Sequence, residues 1–157
     1  MVVILLGSGF EESEAIIPAD LLRRAGVEVV LASLEGTEVT SSHGVAVKAD
    51  ATLEALDADQ IDLLFLPGGL GGVEAIQNCP AAQKLVRAVY DKGKYLSAIC
   101  AAPTILGALG LLKGRRAVCY PGMEDGLIGA DVQKGCGVVV DGNLITGEAA
   151  VPPLNLA

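Results

Sequence analysis

The sequence predicts an α/β sandwich around a mostly parallel sheet. Short apolar runs with many β-branched residues alternate with segments that carry helical periodicity or helix-end signals, which is typical of parallel strands joined by helices. The apolar runs are continuous, as expected for strands covered on both faces. With 157 residues, 52% of them hydrophobic and 19% charged, the chain can bury the core of one domain and does not have the composition of a disordered protein.

The first half of the chain is predicted to contain three strands and one helix. Acidic residues at the front of the helix, arginines at its back and a closing glycine define it. Pro18 lies inside this helix and predicts a kink or an irregular first turn. The elements are, in order, strand Val2–Leu6, the helix up to Gly26, strand Val27–Ala32, a surface hairpin within 39–48, a brief helix or turn over 50–56, and strand Ile61–Leu66.

The second half begins with a glycine-rich loop, Pro67–Gly72, whose spacing does not match a phosphate-binding loop. This loop is either a tight turn or part of a site where backbone N–H groups approach a ligand closely. The further elements are helix Ala81–Lys92 with Gly93 as its C-cap, a strand that ends at Cys100, a short helix Pro103–Leu109, strand Ala117–Tyr120, and a hairpin over Gly137–Thr146 with an Asp-Gly turn.

Cys100 lies at the sharp turn between the fourth strand and the helix that follows it. The strand holds such a residue rigidly, and the helix offers unpaired N–H groups and the positive end of its dipole. Both effects favour a thiolate, so the pattern predicts a reactive cysteine. The alternative is a small buried hydrophobic residue, because free cysteine is among the most buried residue types.

The ends of three predicted strands carry unusual residues. Glu14 follows the first strand, Gly68 and Gly69 follow the third, and Cys100 follows the fourth. In open α/β sheets, ligands bind at the carboxyl ends of the strands, where the strand order reverses. If these three strands are neighbours, the residues converge on one crevice, and an active site is expected there.

The predicted chemistry pairs a Cys100 nucleophile with Glu14. The N–H groups of Gly69 and Ala101 are the expected oxyanion donors. Burial and a neighbouring thiolate favour the protonated form of Glu14, which could hydrogen-bond the sulfur and shuttle a proton. Alternatively, Glu14 only serves the dipole of its helix. The single histidine, His43, lies in a polar stretch far from the predicted turn, which disfavours a Cys-His hydrolase.

Composition limits the partners and cofactors. A net charge of −8 and an aromatic content of 3% disfavour nucleic-acid binding. No apolar run reaches the length of about 20 residues that crosses a bilayer, and no secretion signal is evident, so no membrane partner and a cytoplasmic location are expected. The four cysteines are widely spaced and form no metal-ligand pattern. We therefore expect neither a metal nor another cofactor.

The segments GFEESEAIIPADLLRRAG, LPGG, AICAAP and CYPG resemble the DJ-1/ThiJ/PfpI superfamily, near its DJ-1 and bacterial YajL branch. The resemblance covers residues 2 to about 146. It implies a flavodoxin-like three-layer sandwich with a nucleophile elbow at Cys100, a protonated glutamate at Glu14 and the same two backbone donors. It also implies a homodimer that works without a cofactor.

The chain departs from the family pattern at several positions. Tyr120 stands where the nearest relatives have a histidine, and His43 stands where they have an arginine directed toward the site. Both are candidates for lining the site, as is Gly68. Ala101 follows the nucleophile where the protease branch has a histidine, which excludes a peptidase. Residues 1–157 are expected to form a single domain that lacks the family's C-terminal helix.

The resemblance leaves two functions open. The first is a cysteine-dependent glyoxalase III-type hydro-lyase or protein deglycase, in which Cys100 adds to an aldehyde and Glu14 shuttles the proton. Its partner would be a small 2-oxoaldehyde such as methylglyoxal, or a glycated substrate. The second is an oxidative-stress redox sensor or a chaperone-like protein in which Cys100 is oxidised.

Overall fold

The computed structural model describes residues 1–149, which form a seven-stranded sheet with helices on both faces. The strands and helices are, in chain order, β1 (Val2–Leu6), α1 (Glu12–Arg24), β2 (Val29–Ser33), β3 (Glu38–Thr40), β4 (Ala46–Lys48), β5 (Ala51–Thr52), β6 (Leu63–Leu66), α2 (Leu70–Gln77), α3 (Pro80–Asp91), β7 (Tyr95–Ile99), α4 (Pro103–Ala108), β8 (Arg116–Ala117), β9 (Asp131–Val132), β10 (Val138–Asp141) and β11 (Leu144–Gly147). Short 3₁₀ turns occupy Leu53–Ala55, Ala58–Gln60 and Glu124–Gly126.

The order of strands in the main sheet is β10-β11-β7-β6-β1-β2-β5. Neighbouring strands in it are parallel, except that β10 and β11 form an antiparallel hairpin. This architecture confirms the predicted α/β class with a mostly parallel sheet. It also places β6 between β1 and β7, so the three strands whose ends were expected to meet are direct neighbours.

Strand β1 shows why the apolar runs are continuous. All five of its side chains are buried, and successive residues point to opposite faces of the sheet. Val2, Ile4 and Leu6 join a core cluster with residues of α1, whereas Val3 and Leu5 join the larger cluster on the other face. The sheet therefore separates two cores, and both must be covered.

The larger core is covered mainly by α3, whose buried residues recur at helical spacing. Its buried side chains are Ala82, Leu85, Val86 and Val89. Pro80 occupies the first turn, where no intrahelical N–H is needed. On the opposite face, α1 runs without interruption through Pro18.

Two elements differ from the sequence prediction. The glycine-rich stretch becomes helix α2 from Leu70 onward, although Gly71 and Gly72 are poor helix formers. A Cβ at Gly72 would lie 2.9 Å from the Cα of Phe10, so close packing against the loop after β1 requires glycine there. The predicted strand Ala117–Tyr120 is also wrong, because β8 contains only Arg116–Ala117 and pairs with β9 outside the main sheet.

Other predicted elements are found with shifted bounds. The surface hairpin is formed by β3 and β4. The stretch 50–56, predicted as a brief helix or turn, contains the edge strand β5 before its 3₁₀ turn. The expected lack of a C-terminal helix concerns residues that lie outside the described part of the chain. Within residues 1–149, no helix has both the length and the apolar character needed to cross a membrane.

Candidate active site

Cys100 occupies a strained turn between β7 and α4. Its φ is 60°, and among residues 1–149 it is the one non-glycine residue with a positive φ. This conformation is unfavourable for a side chain with a Cβ, so the surrounding structure must hold it. The Cys100 N–H donates to the Gly147 carbonyl (2.9 Å), and its carbonyl accepts from the Tyr120 N–H (2.8 Å). These hydrogen bonds fix the direction in which the sulfur points.

Glu14 reaches the same place from the first turn of α1. It is buried, with 4% of its surface exposed. Its Oε2 accepts a hydrogen bond from the Gly68 N–H (2.8 Å), and its carboxyl group is hydrogen-bonded to the Cys100 thiol. The carboxyl and the thiol, which the sequence separates widely, therefore form a direct pair.

Gly68 and Gly69 hold this pair from the end of β6. A Cβ at Gly68 would lie 2.5 Å from Glu14 Oε2 and 2.7 Å from Cys100 Cβ, so only glycine lets the two side chains meet there. Gly69 has a φ of 85°, which glycine adopts without strain. This conformation directs the Gly69 N–H to the Cys100 sulfur, which also accepts from the Ala101 N–H.

The protonation of the pair is controlled by its burial. Burial, followed by the negative charge of Glu14, raises the pKa of the Cys100 thiol to about 11, while the N–H groups of Ala101 and Gly69 oppose this rise. The prediction that the turn favours the thiolate is therefore wrong for a thiol beside an ionised Glu14. The N–H donors at the turn can be inferred from the sequence, whereas the burial of the sulfur away from water, which raises its pKa, cannot.

The pair opens into a cavity of about 710 Å³. Its lining residues are Glu11, Ser13, Glu14, Gly69, Leu70, Cys100, Ala101, Tyr120, Pro121, Gly122, Met123 and Ala149. Five of the predicted site residues thus face one space, namely Cys100, Glu14, Gly69, Ala101 and Tyr120. Tyr120 has 43% of its surface exposed. Gly68 lies behind the Cys100–Glu14 pair rather than in the lining.

The cavity lining includes residues that are not predicted from the sequence, most notably Glu11, Ser13, Leu70 and Met123. Glu11 could have been found, because it precedes α1 at the N-cap position, and the side chain of an N-cap residue lies close to that of the third helical residue, here Glu14. Leu70 and Met123 carry no comparable signal. Leu70 lies at the start of α2, where the sequence predicts a loop, and Met123 lies in the irregular segment after β8.

His43 lies outside the cavity lining. The Ser42 hydroxyl lies 3.2 Å from a carboxylate oxygen of Glu11 and of Glu12 and shares its single proton between them, which holds this loop against the start of α1. His43 Nδ1 lies 2.9 Å from Glu12 Oε1 and forms an ion pair when the imidazole is protonated. Possible metal-ligand atoms of Glu11, Glu12 and His43 lie within 4.8 Å of one another.

Fold and site together define a class of protein, an α/β sandwich that presents a cysteine on a strained turn beside a buried glutamate. Residues 1–157 match the DJ-1/PfpI family, and the chain belongs to that family.

Similar proteins include enzymes and proteins named for DJ-1. The chain is 40% identical over 149 residues to protein dj-1beta of Drosophila melanogaster, with 92% of this chain and 78% of the relative covered. It is 37% identical over 146 residues to deglycase PH1704 of Pyrococcus horikoshii, with 92% and 87% covered. The oxidised DJ-1 of Toxoplasma gondii has a similar structure, with a TM-score of 0.88, 36% identity and 94% and 81% coverage.

Proposed function

We propose that this protein is a cysteine-dependent, cofactor-independent glyoxalase and deglycase that acts on methylglyoxal or on early glyoxal adducts. The observation that carries the proposal is the hydrogen-bonded pair of Cys100 and Glu14 at the wall of a cavity. Relatives named deglycase, such as that of Pyrococcus horikoshii, support an activity of this kind.

In the first step, the Cys100 sulfur attacks the aldehyde carbon of the substrate. A C–S bond forms, and the electron pair of the C=O bond moves to the oxygen. The thiol proton passes to Glu14 as the sulfur attacks and then to this oxygen, which gives a hemithioacetal. The N–H groups of Gly69 and Ala101 stabilise negative charge in this region.

The second step moves a hydrogen along the substrate. Glu14, again a carboxylate, takes the proton from the carbon that carries the sulfur, and the electrons of that C–H bond form the C=C bond of an enediolate whose negative charge lies on the former ketone oxygen. Glu14 then returns the proton to the former ketone carbon. The hydroxyl proton of the carbon that carries the sulfur passes to the neighbouring oxygen, so that the first carbon becomes the thioester carbonyl and the second carries the hydroxyl group of a 2-hydroxy acid. Water cleaves the thioester, releases lactate from methylglyoxal and restores the thiol. No external oxidant or reductant is needed, because one carbon is oxidised while its neighbour is reduced.

Tyr120 provides a phenol in the cavity at a position where the family resemblance implies a histidine. Its backbone N–H donates to the carbonyl of Cys100, so the Tyr120 backbone keeps a defined place relative to the nucleophile. A phenol can donate a hydrogen bond to a carbonyl oxygen but is a much weaker base than imidazole near neutral pH. We therefore assign the proton transfers to Glu14 and a binding role to Tyr120.

The direct test follows methylglyoxal loss and lactate appearance, without glutathione or added metal, in the wild type and in Cys100→Ala. Lactate should form with many turnovers in the wild type and not in Cys100→Ala. Cys136→Ala is the matched control, because Cys136 is a free and exposed cysteine outside the cavity. Stoichiometric loss of aldehyde, or equal lactate formation with Cys100→Ala, would refute the proposed activity.

Redox sensing is the second candidate function. Two observations support it: the oxidised DJ-1 of Toxoplasma gondii has the same fold, and the donors around the Cys100 sulfur suit a sulfinate as well as an oxyanion. This function predicts selective oxidation of Cys100 by peroxide in a protein that does not turn over aldehyde. Mass spectrometry of peroxide-treated protein, read beside the lactate assay, separates the two functions.

We further propose a cytoplasmic homodimer. All four cysteines are free, as is usual in a reducing compartment. Helix α1 leaves apolar side chains exposed next to the site, namely Ile16, Ile17 and Leu21. An exposed apolar face on a helix is typical of a surface that contacts another chain, and a second copy would cover it.

A further inference from the structure

Among the residues that the structure describes, the cavity lining contains acidic side chains but no basic ones. Glu11 and Glu14 are in its lining, and no lysine, arginine or histidine of residues 1–149 is. Glu124 lies just behind the lining, where its carboxylate accepts a hydrogen bond from the Gly122 N–H (2.9 Å). Together with Glu148, Glu124 raises the pKa of the nearby Cys119 thiol, although burial is the larger cause.

The carboxylate of Glu11 is held at the wall of the cavity. Its Oε1 accepts a hydrogen bond from the Ser13 hydroxyl (3.1 Å), and its Oε2 accepts one from the Ser42 hydroxyl (3.2 Å). Its backbone N–H donates to the Gly68 carbonyl (2.9 Å). Glu11 is therefore tied to the segment that holds Glu14 and Cys100, while 27% of its side chain remains exposed.

Two basic side chains approach these acidic residues from outside the cavity. His43 Nδ1 lies 2.9 Å from Glu12 and 3.8 Å from Glu11, and Lys134 Nζ lies 3.9 Å from Glu124. Neither residue lines the cavity. A ligand that enters therefore meets acidic side chains in the lining while the basic ones approach from outside it, and a partly enclosed site screens such charges less than open water does.

We propose that Glu11 is a specificity-determining residue that makes the cavity accept neutral and cationic carbonyl compounds and exclude anionic ones. The favoured class is a free 2-oxoaldehyde or its adduct on a guanidinium or ammonium group, whereas carboxylated or phosphorylated aldehydes are rejected. This assignment of substrate class rests on the proposed function. The selection by charge concerns which molecules reach the Cys100 sulfur, so it can be measured whether or not the protein turns over a substrate.

The test compares three methanethiosulfonates that carry a trimethylammonium group, a sulfonate group or no charge. Their rates of reaction at Cys100 are measured by peptide mass spectrometry and divided by their rates with a free cysteine peptide. The wild type should prefer the cationic reagent over the anionic one. In Glu11→Gln, this ratio should fall about tenfold, the effect expected for one nearby charge at an effective dielectric constant between those of water and protein. The rate of the neutral reagent should not change.

Glu12→Gln is the matched control, because it removes the same charge from the adjacent residue, which does not line the cavity. Its cation-to-anion ratio should remain near that of the wild type. The inference fails if the wild type shows no preference beyond that of the free peptide, or if Glu11→Gln keeps the wild-type ratio. It also fails if Glu12→Gln changes the ratio as strongly as Glu11→Gln does.

The ratio of reagent rates tests the role of Glu11, and the lactate assay tests the proposed function, so each proposal can be refuted without the other. A protein that turns over methylglyoxal but shows no charge preference at Cys100 overturns the role of Glu11 and leaves the proposed function standing. A protein with the charge preference but without turnover overturns the proposed function and leaves the role of Glu11 standing.

Discussion

Gly68→Ala is the substitution for which the structure gives the sharpest expectation. The added Cβ would lie 2.5 Å from Glu14 Oε2, 2.7 Å from Cys100 Cβ and 3.1 Å from the sulfur. Non-bonded carbon atoms are at their optimum about 3.5–4.0 Å apart, so Glu14 or Cys100 must move by roughly 1 Å. Gly68 does not have a positive φ, and the backbone itself tolerates alanine. The effect is therefore steric and is directed at the pair.

The magnitude follows from this displacement. A misplacement of about 1 Å in a catalytic group can cost roughly 100-fold in rate, so we expect a loss of this size in kcat/KM for methylglyoxal. Overpacking of a well-packed interior lowers the free energy of unfolding by about 1–3 kcal/mol, which should appear as a lower urea midpoint. Lactate formation and urea unfolding measure the two effects in one preparation.

Gly137→Ala is the control for this experiment. A Cβ at Gly137 would meet no atom within 4 Å, and Gly137 also lacks a positive φ. It should keep the wild-type activity and unfold at the same urea concentration or slightly above it, because alanine restricts the unfolded chain. If Gly68→Ala keeps wild-type activity and stability, the closeness of Gly68 to the pair does not matter and the reasoning is refuted.

Two further predictions concern the charge of Glu14 and the face of α1. Glu14→Gln should lower the pKa of Cys100 from about 11, because a negative charge beside the sulfur opposes the thiolate. The midpoint pH for alkylation of Cys100 by iodoacetamide should therefore fall in Glu14→Gln and stay unchanged in Glu12→Gln. An unchanged or higher midpoint in Glu14→Gln would show that the Glu14 charge does not raise the pKa of Cys100. Light scattering should give the mass of a dimer for the wild type and of a monomer for Leu21→Glu. Ile128→Glu, which changes another exposed apolar residue, is the control and should remain a dimer. A monomeric wild type would disprove the dimer.

The arrangement of the site could be predicted because it depends on strand order and burial. Continuous apolar runs such as Val2–Leu6 mark strands that are covered on both sides, and parallel strands bring their carboxyl ends to one edge. Once β6 lies between β1 and β7, the residues after these strands must converge. Glu14 and Cys100 therefore meet even though nothing in their local sequences shows it.

The parts that could not be predicted depend on contacts between distant segments. Gly71 and Gly72 disfavour a helix locally, but α2 forms because their lack of side chains allows close packing against the loop after β1. The stretch Ala117–Tyr120 has the composition of a strand. In the structure, the Tyr120 N–H donates to the carbonyl of Cys100, so this end of the stretch supports the turn instead of continuing β8.

The pKa of the Cys100 thiol also depends on contacts between distant segments and therefore could not be predicted from local sequence. Local sequence identifies the N–H groups at a turn, which favour a thiolate. It does not show how deeply the sulfur is buried or how close a carboxyl from another segment comes. Both of these effects act in the opposite direction, and together they outweigh the donors. A reactive cysteine can thus be located from sequence more readily than its ionisation can be.

Gly68 connects the parts of the site that would perform chemistry and select substrates. Its N–H donates to Glu14, its carbonyl accepts from the Glu11 N–H, and its Cα faces Cys100. One backbone residue thus sets the positions of the proton shuttle, the nucleophile and the charged wall relative to one another. Because main-chain hydrogen bonds provide this support, the Glu11 side chain can change without moving the pair. Substrate charge selection and the chemical step should therefore be separable in this protein.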